Sequence, residues 1–117
     1  MITAVGPNLS ALGAFEKKMG VISNNIANLD SQGFKKSRAV MVEGQNNSVE
    51  VEVSQIESPG PTMNEGTEGK IKEIEYSNVE LTEEIPQTII ALRGYEANIK
   101  VIGTREEMLG SILDIIG

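Results

Sequence analysis

The sequence predicts a mainly α fold with a small β insert, in which an N-terminal and a C-terminal helix pair as an antiparallel coiled coil with short strands between them. Three observations predict it: an apolar seam near each end of the chain and a period-two run of valines in the middle. In the first seam Leu12, Phe15, Met19, Ile22, Ile26 and Leu29 fall alternately three and four residues apart, the stripe of an amphipathic coiled-coil helix. Ser10 or Asn8 caps its start. Asn28, Asp30 and the cluster Ser31-Gln32-Gly33 end it, Gly33 being suited to a left-handed turn.

The second seam runs through Leu92, Tyr95, Ile99, Ile102, Leu109, Leu113 and Ile116, with Glu106 as its only charged interruption. Leu81, Ile85 and Ile89 extend it upstream, where Thr82 is placed as N-cap and Glu83 and Glu84 suit the positive end of the helix dipole. Pro86 predicts a bend or a late start there, because a proline inside a helix removes one backbone hydrogen bond. Between the helices Val49, Val51 and Val53 alternate with Glu50, Glu52 and Ser54, a half-buried strand. Ile74 and Tyr76 alternate with Glu73 and Glu75 in a second one, while Ser58-Pro59-Gly60-Pro61 and the run from Asn64 to Gly69 read as turn and loop. The whole is one domain over 1–117, with the first helix at 9–30, a loop and small β insert at 31–76, and the second helix at 77–117.

Composition bounds what such a fold does. The chain has 117 residues, no Trp, and only Phe15, Phe34, Tyr76 and Tyr95 as aromatics. Its core is therefore small, and folding alone leaves apolar helix surface that asks for partners. Without His or Cys it lacks the usual general base, the commonest metal ligand and every thiolate site, so no catalytic, cofactor or metal site is expected. The adjacent carboxylates Glu83-Glu84 and Glu106-Glu107 diverge around a helix and cannot converge on one reacting bond; an enzyme is not expected. A net charge of -7 argues against nucleic acid as a partner. The first forty residues carry Lys17, Lys18, Lys35, Lys36 and Arg38 against Glu16 and Asp30, so a basic front end faces an acidic remainder and favours pairing between the two, within or between copies. No stretch is apolar enough for membrane insertion, and Met1 to Ser10 lacks the basic-then-apolar pattern of a cleaved secretion signal.

Within the helices, Asn24, Asn25 and Asn28 are poor interior residues that need a compensating role, either as caps or as inter-helix hydrogen-bonding groups that fix register. Tyr95 and Asn98 are expected to form a contact point on the second helix, Asn98 by bonding across to another helix. Gly94, Gly103 and Gly110 each weaken an isolated helix by up to about 1 kcal/mol relative to Ala, so this helix depends on packing.

The segment Ser23-Asn24-Asn25-Ile26-Ala27-Asn28-Leu29, followed by Gly33-Phe34-Lys35-Lys36, resembles the N-terminal signature of the flagellar rod and hook protein family. Ser77-Asn78-Val79-Glu80-Leu81-Thr82-Glu83-Glu84, then Arg93-Gly94-Tyr95-Glu96-Ala97-Asn98 and Thr104 to Leu109, resembles the same family's C-terminal signature. Ser31-Gln32 stands where that family usually has Thr-Pro, and Pro86 where it usually continues a helix; the short insert looks most like the proximal rod proteins. The resemblance implies a structural subunit of the bacterial flagellar basal body rod that passes unfolded through the flagellar export apparatus without signal cleavage. In the periplasmic rod it would assemble through its terminal helices, with its own copies and with other rod or hook-type axial proteins, into a helical torque-transmitting structure. The interface expected on that reading comprises Leu12, Phe15, Met19, Ile22, Asn24, Asn25, Ile26, Asn28, Leu92, Tyr95, Asn98, Ile99, Ile102, Leu109 and Leu113. The seams alone fit a soluble coiled-coil adaptor, or a divergent paralogue outside the rod, equally well; the Asn-rich and Tyr-Glu-Ala-Asn motifs set the rod reading apart.

Overall fold

The computed structural model describes residues 2–116 and has two long helices enclosing four short strands. Helix α1 spans Ile2–Ala27, strand β1 Ser37–Glu43, β2 Val49–Gln55, β3 Thr62–Thr67, β4 Lys70–Glu75, and helix α2 Leu81–Ile116. The fold is mainly α with a β insert, as the periodicities predict.

α1 starts earlier than the predicted residue 9, whereas α2 starts at Leu81, inside the predicted 77–117 and ahead of the expected cap Thr82. α1 runs through Ser10, the expected cap, whose hydroxyl instead donates to the Pro7 carbonyl at 2.8 Å and accepts from the Val49 amide at 3.0 Å. Ser10 thus ties the helix to the strand insert. α2 opens with the Glu80 carbonyl accepting from the Glu83 and Glu84 amides, so that Glu80 takes the cap position two residues before Thr82. It continues through Pro86, so the late start is corrected: a proline this close to an N-terminus forfeits one bond that the following turns outweigh. α1 ends at Ala27, three residues before the predicted 30, and Gly33, at φ +69°, turns the chain as expected.

The insert is two separate antiparallel hairpins. In the first, β1 and β2 pair with Ala39 opposite Val53 and Met41 opposite Val51, and this face lies on α1. In the second, β3 and β4 pair from Thr62↔Glu75 to Thr67↔Lys70 around a turn in which Glu68 and Gly69 both have positive φ, the twist that closes a two-residue hairpin. β2 and β4 answer the predicted strands. β1 and β3 were unforeseen, and the stretch from Asn64 to Thr67, predicted as loop, is strand because it pairs with β4.

The molecule is elongated, 85 × 24 × 14 Å with a radius of gyration of 21.3 Å, where a compact chain of this length would have about 13 Å. Its buried apolar residues are few and mostly small: Ala11, Ala14, Ile22, Ala39, Val79 and Ala91. The most enclosed line of α1 is thus Ala11, Ala14, Ile22 and Asn25, which shares Ile22 with the predicted seam and otherwise runs beside it. α1 has two neighbours, α2 and the first hairpin. The line between two contacting faces has room only for small side chains, while Leu12, Phe15 and Met19 flank it half-buried.

Candidate assembly interface

Two contacts fix how α1 and α2 meet. The Phe15 ring lies directly over Gly94, where a Cβ would collide with three ring carbons. Ten residues further along α1, Asn25 reaches Glu84, ten residues back along α2, with its Nδ2 donating to Glu84 Oε2 at 3.3 Å. Beside the Phe15–Gly94 contact Tyr95 donates its hydroxyl to Glu16 Oε1 at 3.3 Å. Gly94 is therefore a seat for an aromatic ring, a role that helix propensity alone does not reveal.

The Asn25 end is a buried polar node. Asn25 and Glu84 are both fully buried. The Asn25 carboxamide also brackets the first residue of β1, donating to the Ser37 carbonyl at 2.8 Å and accepting from the Ser37 amide at 3.0 Å. One side chain so joins α1, β1 and α2. Arg38 stands 3.8 Å from Glu84 and forms an ion pair with Glu83, to which Lys36 also donates at 2.9 Å. A carboxylate this buried requires such cationic and hydrogen-bonding company.

Asn78 makes a second node. Its Oδ1 accepts from the Lys36 amide at 2.6 Å, and its Nδ2 donates to the carbonyls of Ile56 at 2.9 Å and Ser58 at 2.8 Å. It thereby clamps the exits of both α1 and β2 to the segment that leads into α2. Alongside, Lys35 pairs with Glu75, whose carboxylate also accepts from the Gly60 amide at 3.3 Å. These bonds hold the Glu75 carboxyl below its ordinary value, the Lys35 bond most strongly and the Gly60 amide next, against a smaller opposing effect of burial. Four of the five ion pairs among the described residues join the basic front end to the acidic remainder, within one copy as the charge distribution anticipates.

The other predicted interface residues divide in two. Ile22 is buried, and Leu12, Phe15, Met19, Asn28, Tyr95, Asn98, Ile102 and Leu109 are half-buried. Asn24, Ile26, Leu92, Ile99 and Leu113 are exposed within a single chain, Ile99 at 49% and Leu113 at 67%. Asn24 and Asn28 serve the helix end: Asn28 Nδ2 donates to the Asn24 carbonyl at 2.8 Å and Ser31 Oγ to Asn28 Oδ1 at 2.9 Å. Asn98 does not bond across helices in the chain; its amide donates to the Gly94 carbonyl of its own helix at 2.8 Å, satisfying itself within one turn. Sequence reasoning placed Glu84 only in the first turn of α2 and Asn78 only within the C-terminal signature, and neither at the interface.

The helical segments of this interface match known families. Residues 8–35 match the model for flagella basal body rod protein, and residues 72–115 match that for the C-terminal region of flagellar basal body rod FlgEFG protein. The chain belongs to the flagellar basal body rod protein family. This family is structural and not enzymatic. A relative is the flagellar basal-body rod protein FlgG of Bacillus subtilis (strain 168), 38% identical over 53 residues, which are 44% of this chain and 20% of that protein. The chain thus spans about a fifth of the length of the curated relative it matches. Placed on the fold, the rod family matches cover most of α1 with its exit turn, and β4 with nearly all of α2; the first hairpin and β3 lie between them.

Proposed function

We propose that this chain is a structural subunit of the bacterial flagellar basal body rod, whose α1 and α2 form an antiparallel coiled coil that packs against the helices of neighbouring subunits. The observation that carries this reading is the aliphatic surface that α2 leaves open along its length. Ile85, Ile89, Ile90, Leu92, Ile99, Val101, Met108, Ile112, Leu113 and Ile115 are all exposed in a single chain, Ile115 at 85%. Covering large aliphatics yields about 1.5 to 3 kcal/mol for each one fully buried, which one copy forgoes and an assembly recovers. The family match supports neighbours that are other copies and other rod or hook-type axial proteins, arranged helically so as to carry torque. The same membership fits export through the flagellar apparatus and assembly in the periplasm.

Ile99→Asp tests it, because the site is half open and an aspartate there leaves the isolated fold intact. Basal bodies isolated from cells producing the wild-type chain should contain it, and those from cells producing Ile99→Asp should lack it at equal expression. Incorporation of the variant at the wild-type level rejects α2 as the assembly face. Absence of the wild-type chain itself rejects the rod reading.

A further inference from the structure

The second hairpin is the least supported part of the molecule. β3 and β4 pair with each other alone and make no more than grazing contact with either helix. An isolated two-stranded hairpin is marginal in water, so this one needs a surface to lie on. Cross-strand register places Met63, Ile74, Glu65, Lys72 and Lys70 on one of its faces. Met63 is 60% exposed, and Glu65 is occupied by the Tyr76 hydroxyl at 3.4 Å. Lys70 and Lys72 have no ion pair among the described residues. This face has an apolar patch, Met63 and Ile74, at the base of the hairpin and an excess of one positive charge, Lys70 and Lys72 against Glu65, toward its tip.

The first hairpin presents its opposite. One face lies on α1; the other, set by the pairs Val40↔Glu52 and Val42↔Glu50, turns away from it. Val40 is 50% exposed, and Glu50 and Glu52 are exposed with no ion pair among the described residues. Two glutamates spaced two apart lie beside Val40 and Val42, as two lysines spaced two apart lie on the tip side of Met63; Arg38, on the same outer face, is already paired with Glu83. No strand pairing joins the two hairpins within the chain.

We propose that the β3–β4 hairpin docks on the outer face of the β1–β2 hairpin of a second copy of this chain, with Lys70 and Lys72 against Glu50 and Glu52 and Met63 against Val40. This deepens the assembly reading given above by naming a contact outside the helices. The two surfaces differ, so the contact is head-to-tail and the joined pair still has one free surface of each kind. Repetition then gives an open-ended array and not a closed dimer.

The absence of cysteine from the chain makes disulfide trapping clean. A Met63→Cys protein and a differently sized tagged Val40→Cys protein are mixed and oxidised with copper phenanthroline at low ionic strength. The mixed dimer should form about tenfold faster than from Met63→Cys with Glu96→Cys, a site on exposed α2. Lys70→Glu with Lys72→Glu on the first protein should remove that excess, and adding Glu50→Lys with Glu52→Lys on the second should restore it. The pair Lys72→Cys with Glu52→Cys repeats the trap in case either first variant misfolds. Rates equal to the control in both traps, or failure of the double reversal to rescue, overturn the proposal. So does a result in which the lysine variant loses only a bond to another rod protein, since the hairpin's partner is then not this chain. Basal-body content of the Met63→Cys chain is read separately: incorporation without a cross-link rejects the hairpin contact and leaves the rod reading standing. Trapping accompanied by absence from basal bodies supports the contact and counts against the rod.

Discussion

A single carboxamide holds three parts of this protein together, and its neighbours show how specific that is. Asn25 is buried and bonds both backbone groups of Ser37 as well as Glu84, whereas Asn24, one residue earlier, is exposed and engaged only with the helix end. Truncating Asn25 leaves a buried carboxylate and two backbone groups short of partners, each loss costing roughly 1–3 kcal/mol less whatever water recovers. Asn25→Ala should therefore lower stability in urea unfolding by about 2 kcal/mol or more, while Asn24→Ala should stay within about 0.5 kcal/mol. Equal effects would remove the node from the account. That an asparagine here bonds between elements was legible in the sequence. That its partner is Glu84 was not, because a glutamate in the first turn of a helix has the same sequence signal whether it faces water or is buried.

At the scale of elements, the periodic parts were readable and the paired parts were not. Both helices and β2 announce themselves by spacing. β1 hides because Ala39, Val40, Met41 and Val42 are apolar on both of its faces and erase the period of two. β3 hides because Asn64 and Gly66 have little strand preference, so only its pairing with β4 makes it a strand. That hairpin is anchored at its base by Glu75, and the anchor carries a pH dependence. The folded carboxyl titrates below its ordinary value of 4.5, so its contribution is complete above that value and is lost as pH falls through the lowered one. The Gly60 amide resonance should titrate with a midpoint under 4.5 in the wild-type chain and stay flat in Glu75→Gln. A midpoint at or above 4.5 would show that the Lys35 and Gly60 bonds do not persist in solution.

Across the whole molecule, stability is concentrated at one level and thins toward one end. If the register set by Phe15 over Gly94 and Asn25 on Glu84 is carried on, Ile2 comes level with Glu107, and the final turns of α2 extend beyond α1. There Met108, Ile112, Leu113 and Ile115 are all exposed. Amides of 109–115 should exchange about a hundredfold faster than those of 88–95 in the free chain, as local opening needs no α1 contact to break. Exchange that is uniform along α2 would mean that its far end is held by something other than this register.

The meeting of Asn25 with Glu84 also sets an order of events in time. Those two residues are 59 positions apart, and Phe15 and Gly94 are further apart still. A chain that emerges from a ribosome or a narrow conduit end first cannot close either contact until most of its length is out. Whichever terminus leads, its helix waits for the other. The closure that gives the subunit its rigidity therefore also delays it, so the chain stays threadable until both Asn25 and Glu84 are out and becomes a rod-shaped solid only from then on.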